Sequence, residues 1–342
     1  MTIESDDSCA RPARRGATRA SPGLIVLIIS ALSAVCAAPG LSAQETVLRV
    51  GHFPNITHVQ ALVARQLERQ GKSWFTERLG GKVKIEWYPY NAGPSAMEAI
   101  FANSIDLTYV GPNPALNAYV RSRGEEARVV ANAVNGGSAL VVQGDGKLAQ
   151  PSDFRGKRIG TPQFGNTQDV AARAWLVAGG LRITQAGGDA QVLPTANPDQ
   201  LTLFLSKGLD AVWTVEPWVS RLELEGGGKV LVEEKDALTT LLVARTRFLN
   251  EQRDLVRRFV AVHRELTEWI QQNPQQAQQL VRDELRMSFR ADMSAALLAH
   301  AWPRMTVTSE VSLDAFQSVV TSAKKVGFLR EVNDLSRLIE TP

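Results

Sequence analysis

The stretch Val47–Leu67, VLRVGHFPNITHVQALVARQL, decides how the chain is read. Its opening residues, with Val47, Leu48 and Val50 apolar, read as a strand that runs out at Gly51-His52-Phe53-Pro54-Asn55. From Thr57 to Gln70 the apolar spacing becomes helical, and Thr57 is placed to cap that helix. A strand that passes through a short Gly/Pro/Asn loop into a helix is the building unit of a parallel sheet with helices on its faces. Ligands in such folds sit beyond the carboxyl ends of the strands.

The same unit recurs. KVKIEWYPY, DLTYVG and ARVVANAV read as further strands, separated by helices over Ser95–Asn103 and Ala115–Arg123. A second series begins after ALVVQG, with a strand near Arg158–Gly160 and a helix from about Thr167. Asn197-Pro198-Asp199-Gln200 is a helix start: a capping Asn, Pro at the first helical position and an acid in the first turn. A strand-like LTTLLVARTRFL follows, and from about Asn250 the pattern is helical almost to the end, clearest in DLVRRFVAVHRELTEWIQQ. The expectation is an α/β chain with two similar lobes and a helical tail.

Length and composition agree with that and exclude other classes. The chain has 342 residues, enough for two ordinary domains. Lys plus Arg number 38 against 35 Asp plus Glu, a formal net charge of +3, which lacks the clustered basic excess of a nucleic-acid binder. No Gly-rich phosphate loop with Lys and Ser/Thr, and no G-x-G-x-x-G opening a helix, is present, so nucleotide chemistry is not expected.

The first 43 residues read as an export segment. Arg11, Arg14, Arg15 and Arg19 precede an apolar run from Leu24 to Ala38, too short for a membrane span, with cleavage expected near Ala43. Leu41 departs from the small residue usual at its position. A periplasmic location follows. Cys36 in SAVC offers a lipid-anchor alternative, and Arg14-Arg15 a weak twin-arginine signal. Both cysteines, Cys9 and Cys36, fall in this segment, so the mature chain would hold no disulfide, thiolate ligand or cysteine nucleophile.

Several strand ends carry the same kind of loop: FPNITH (53–58), YNAGPSA (90–96), VGPNPA (110–115), NGGSA (135–139) and TPQFGNTQ (161–168). Helix N-termini expose unpaired N–H groups and about half a positive charge, so such loops can hold an oxyanion without Arg or Lys. Gly, Pro and Asn are equally what any strand-to-helix turn uses, and Thr57, Ser95 and Thr167 could be plain N-caps.

GHFPNITHVQAL, YNAGPSAMEAIFANSIDLTYVGPNPA, FRGKRIGTPQFGNTQ and LDAVWTVEPW resemble the solute-binding components of ABC importers for nitrate, taurine and aliphatic sulfonates. The resemblance spans essentially all of the chain after the export segment. It implies a two-lobed periplasmic-binding-protein fold with two chain crossovers and a ligand cleft between the lobes. Residues 44–140 would form the first part of lobe one and 141–240 lobe two. Residues 241–342 would return to lobe one as a strand and C-terminal helices. The resemblance further implies closure on a small organic anion, an aliphatic sulfonate or taurine, and delivery to a membrane permease. It implies no cofactor and no nucleic-acid partner, and a monomer is expected. Nitrate, bicarbonate or a thiamine pyrimidine precursor is the alternative cargo. A sensor module acting in trans, or an enzyme like the thiamine-pyrimidine synthases, is the alternative role, though the latter need a cysteine-rich segment that the mature chain lacks.

Carried over by position, the ligand groups would be Asn55, Thr57 and His58 on the first loop, Gly93, Pro94 and Ser95 on the second, and Gly111, Pro112 and Asn113 after the third strand. Asn166, Thr167 and Gln168 would face them from lobe two, with Thr214 and Glu216 at the end of DAVWTVEPW. His58 reads either as a donor to a sulfonate oxygen, strengthened by partial protonation, or as packing at a helix start. Glu216 would repel an anion, so it pairs with an Arg, lies outside the pocket, or meets a cationic group such as taurine's ammonium. Trp213, Trp218 and Phe164 could wall an apolar tail or belong to the core. His52, His58, His263 and His300 show no metal-ligand spacing.

Overall fold

The computed structural model describes residues 45–185, 187–290, 292–330 and 334–342. The export-segment reading of residues 1–43, with Cys9 and Cys36, lies outside the described residues. No helix among the described residues is long and apolar enough to cross a membrane.

The chain opens with β1 (Thr46–His52), a turn of 3-10 helix at Ile56–His58, α1 (Val59–Arg69) and α2 (Trp74–Leu79). It continues through β2 (Val83–Pro89), α3 (Gly93–Phe101), β3 (Leu107–Val110), α4 (Pro112–Arg121) and β4 (Ala127–Gly136). A second series follows: β5 (Ser138–Gln143), β6 (Arg158–Thr161), α5 (Thr167–Ala178), a small hairpin of β7 (Ile183–Thr184) and β8 (Gly187–Gly188), β9 (Gln191–Pro194), α6 (Asn197–Leu205), β10 (Ala211–Val215), α7 (Trp218–Leu224) and β11 (Gly228–Glu234). β12 (Leu238–Arg245) leads into α8 (Thr246–Glu251), α9 (Arg253–Gln272), α10 (Pro274–Phe289) and α11 (Ala295–Ala301), and the chain closes with β13 (Met305–Val307) and α12 (Phe316–Lys325).

Two sheets result, ordered β13-β4-β12-β3-β1-β2 and β11-β5-β10-β6-β9. Neither is wholly parallel, which corrects the simplest expectation. β1 pairs parallel with β2 and β3, but β12 runs antiparallel to both β3 and β4. In the second sheet β10 is parallel to β6 and antiparallel to β5. The reason is the route of the chain. β12 returns to the first sheet from the cleft side, and β5 enters the second sheet from that side, so each runs against strands that arrive there from the opposite end.

The passages lie at β4/β5 and β11/β12, a few residues ahead of Val141 and Leu241. Gly136 and Gly137 both have φ +71, a conformation a Cβ would disfavour, and a Cβ on Gly136 would run into the carbonyls of Lys235 and Arg304. The apolar centres of β5 and β12 cannot make that turn and stay buried in their sheets.

Helices cover both faces of each sheet. On one face of the first, α1, α9 and α10 bury Leu62, Phe259 and Leu285; on the other, α3, α4 and α12 bury Ile100, Leu116 and Phe316. α9 shows why the tail is helical: Leu255, Val256, Phe259, Val260, His263, Leu266 and Ile270 recur three or four apart and all face inward. Phe259 stacks on Phe75 with ring centroids 4.4 Å apart. Around the second sheet, α5 buries Leu176 beside Phe154, while Phe204 of α6 and Leu222 of α7 form a separate cluster. The tail is less confined to the first lobe than expected, since α11 packs on α7 and α12 on both α4 and α5.

Candidate functional site

The strand ends of the two sheets meet at one cavity. β1 runs into Phe53, and Asn55 is extended at φ −120 before the 3-10 turn takes over. Thr57, expected to cap α1, instead sits inside that turn, and its Oγ1 is buried with no hydrogen-bond partner among the described residues. Thr167 Oγ1, at the start of α5, is buried and unpartnered in the same way. The cap of α5 is Asn166, whose side chain accepts from the Asp169 N–H at 2.9 Å.

Four helices begin at this place: α3 and α4 from the first sheet, α5 and α6 from the second. Gly93, Gly111, Thr167 and Asn197, at or beside their first turns, all line the cavity. The wall also takes Phe53, Asn91, Pro114, Pro162, Val215 and the Thr239–Thr240 pair of β12. No Lys, Arg, Asp or Glu is among the described lining residues. About 20 Å3 is free for the centres of water-sized molecules, room for about one or two waters with the lobes this close.

The two lobes are tied across the cavity. Asn55 Oδ1 accepts from Trp218 Nε1 at 2.8 Å and from Asn197 Nδ2 at 3.2 Å, and Asn197 Oδ1 in turn accepts from Thr214 Oγ1 at 3.1 Å. Ser95 Oγ donates to Gln163 Oε1 at 3.1 Å, and Asn91 Nδ2 to the Pro162 carbonyl at 3.3 Å. Gln168 lines the wall and is held by its neighbours, accepting from Asn166 Nδ2 and donating to Ser138 Oγ.

His58 faces the cavity with its ring 4.3 Å from that of Phe53. Its Nδ1 accepts the Phe53 N–H at 3.3 Å, so the neutral ring carries its proton on Nε2. Burial, with His52 close by, pushes its pKa well below the ordinary histidine value. That corrects the idea of a partly protonated donor: desolvation keeps this ring neutral.

Of the residues carried over from the sequence, Asn55, Thr57, His58, Gly93, Gly111, Asn166, Thr167 and Gln168 line the cavity. Pro94, Ser95, Pro112, Asn113, Thr214 and Glu216 do not. Pro94 faces an outer groove, and Ser95 is engaged with Gln163. Pro112 opens α4 in its buried first turn, and Asn113 beside it is buried with Nδ2 unpartnered among the described residues. Thr214 acts one step back, through Asn197.

Glu216 lies outside the cavity and is fully buried. It accepts from the Ser220 N–H and hydroxyl and from Arg304 Nη1 at 3.0 Å. Burial pushes its pKa up, against the pull of Ser220 and Arg304. Trp213 is core, and Trp218 serves Asn55. Asn197 was missed as a wall residue because NPDQ reads as a helix start; the reasoning that helix starts hold anions would have included it. Among the described residues no group of three His, Cys, Asp or Glu could hold a metal.

A sequence profile of the NMT1-like family matches residues 42–282. The chain belongs to the NMT1-like family. It is similar to a protein of Bacillus subtilis named "Putative aliphatic sulfonates-binding protein", 25% identical over 272 residues, 76% of this chain and 77% of the relative. A "Putative binding protein" of Brucella abortus is 26% identical over 194 residues, 55% of this chain and 58% of the relative, so that match spans under two thirds of the relative's length. Among solved structures, this NMT1-like chain superposes on the alkanesulfonate-binding protein SsuA from Xanthomonas axonopodis pv. citri bound to MOPS with a TM-score of 0.67 at 20% identity, covering 83% of this chain and 93% of that one. The periplasmic nitrate-binding protein NrtA from Synechocystis gives 0.66 at 13% identity, covering 83% and 82%. At such identities the likeness establishes the fold: the two-lobed periplasmic-binding-protein architecture.

Proposed function

We propose that this protein is the periplasmic substrate-binding component of an ABC importer, capturing a small organic anion, an aliphatic sulfonate, between its lobes and presenting it to a membrane permease. The observation that carries the reading is the cavity where four helix N-termini converge on a wall without charged side chains. Each N-terminus contributes about half a positive charge, with N–H groups that have no partner inside the helix. Thr57 and Thr167 add two hydroxyls that lack partners. A buried polar group left unpaired costs about 1–3 kcal/mol, which an accepting oxyanion offsets. The lobes part to admit the ligand, and the closed population grows with it. None of the described lining residues supplies a carboxylate, lysine or cysteine for chemical conversion, which favours binding over catalysis.

Glu216 bears on taurine. With its carboxylate engaged by Arg304 and Ser220, an ammonium in the cavity has no acidic partner among the described lining residues, so a plain alkanesulfonate is a better fit than taurine. The small free space favours one second reading, nitrate. A thermal-shift screen of the purified protein with methanesulfonate, hexanesulfonate, taurine, nitrate, bicarbonate and an aminopyrimidine tests these together. The expected outcome is a rise in melting temperature with the sulfonates that exceeds the rise with taurine. A response to nitrate or the pyrimidine alone would keep the binding role and replace the cargo, and no response to any anion would remove the anion reading.

A further inference from the structure

A second and wider groove lies just outside the cavity, between α3 and α4 of the first lobe, the loop Gln163–Gly165 of the second, and Gly327–Phe328 beyond α12. By the same measure of free space it holds about 840 Å3, against 20 Å3 within. Pro114 is a wall of both. The lobe-to-lobe bond between Ser95 and Gln163 stands near that shared wall: Gln163 follows the cavity-lining Pro162, and Ser95 Oγ also lies within hydrogen-bond distance of the carbonyl of cavity-lining Ala92.

The groove is unusually aromatic for a solvent-open surface. Phe101 is 36% exposed and Phe164 38% exposed, two of the few large apolar side chains left open among the described residues. Phe328 packs against Phe164 with ring centroids 5.0 Å apart, and Met97 adds a buried thioether. Each exposed ring has a guanidinium over it, Arg121 at 6.0 Å from Phe101 and Arg173 at 5.3 Å from Phe164, which fixes ring position. Exposed apolar surface of this kind marks a binding site more often than a free face.

We propose that this groove is a subsite for an aromatic tail, so that the sulfonates accepted extend from the plain alkanesulfonates to arylsulfonates whose head occupies the inner cavity and whose ring occupies the groove. The inference rests on the anion-head reading given above. The inner space is too small to hold a tail beside a head group, so any tail must leave it, and the groove that shares Pro114 is the adjoining space. Phenyl rings and a thioether stand on its walls among polar groups that include Glu98, Asn117 and Gln185, and those rings accept a flat ring in offset or edge contact with centroids about 4.5–7 Å apart. Opening of the Ser95–Gln163 contact gives the linking atoms passage. A tail so placed touches both lobes and reports closure to each.

Calorimetric titration decides it, using methanesulfonate, hexanesulfonate and naphthalene-2-sulfonate with the native protein, Phe164→Ala and Phe101→Ala. The native protein is expected to prefer naphthalenesulfonate over methanesulfonate by about tenfold or more, and each variant to lose most of that ratio. Both side chains are over a third exposed, so their removal leaves the fold in place, which an unchanged ligand-free melting curve checks. Two outcomes overturn the subsite while leaving the anion site standing: methanesulfonate binding as tightly as naphthalenesulfonate, or the ratio surviving in both variants. Failure of every sulfonate to bind would overturn the head reading and the tail subsite together.

Discussion

Arg304 donates to Glu216 Oε1 across 3.0 Å, and the same guanidinium reaches Glu223 at 2.8 Å. Arg304 immediately precedes β13, the edge strand of the first sheet, whereas Glu216 follows β10 and Glu223 lies in α7, both in the second lobe. The pair therefore fastens the lobes on the hinge side, beside Gly136, whose absent Cβ leaves room for the Arg304 carbonyl. Because Glu216 is wholly buried, its charge depends on this partner and on Ser220.

Arg304→Ala leaves Glu216 buried and short of its cation, so that it either stays ionised at a cost or takes up a proton. Breaking a buried pair from one side costs about 3–5 kcal/mol, and solvent access to Arg304 places this case toward the lower end. Urea denaturation should show that loss. The double variant Arg304→Ala with Glu216→Gln should recover a large part of it, and no recovery would mean that Arg304 acts through packing instead.

Thr57→Ala and Thr167→Ala remove hydroxyls that have no partner among the described residues. Ligand-free stability should hold or rise slightly, while affinity for the bound anion falls by about 1 kcal/mol for each, or roughly fivefold. Equal loss of melting temperature with and without ligand would reassign both residues to structural roles.

Gly111→Ala tests closure by a steric wedge. Gly111 has φ −69, which alanine adopts freely, but the added methyl would collide with Thr167 Oγ1 from the opposite lobe. The open form tolerates it and the closed form does not. Affinity should drop by about tenfold or more, and ligand should no longer contract the molecule in small-angle scattering. Unaltered affinity would show that the two loops need not approach this closely.

Acid should unfold the protein earlier than its carboxylates alone require. Burial holds His52 neutral down to about 3, helped by Arg65, and holds His263 neutral to about 4. In the unfolded chain both take a proton near the ordinary 6.5, so below that value the unfolded state binds more protons and stability falls as pH falls. Each histidine contributes a slope of up to about 1.4 kcal/mol per pH unit between 6.5 and its folded value, and above 6.5 the contribution is fully present. Urea midpoints taken at several pH values across this range should trace the decline; a flat profile down to His263's folded value would contradict neutral burial.

What was legible in the residues is what local geometry fixes. The alternation of strands and helices, the helix start marked by Pro198 and Asp199, and the Asn166 cap before α5 depend on residues within a few positions of the backbone they shape; the cap expected of Asn197 is not made, since Ala196 takes the N-cap position and the Asn197 side chain bonds Asn55, Thr214 and Gln200. The amphipathic face of α9 is readable for the same reason, since three- and four-residue spacing puts its apolar residues on one side. The loop composition at the ends of β1, β3 and β6 likewise marked where a cavity lined by helix N-termini would form.

What the tertiary structure alone decided involves partners far apart in the chain. Arg304 meets Glu216 across 88 positions and Asn197 meets Asn55 across 142, and no periodicity encodes either pairing. The antiparallel placement of β12 between β3 and β4 brings Thr239 and Thr240 to the cavity wall, although both read as ordinary strand residues. Glu216 shows the division most clearly. Its position after β10 could be read from the sequence, but whether it faced a ligand or a cation depended on where the returning tail laid Arg304, and that is set by packing of the whole chain.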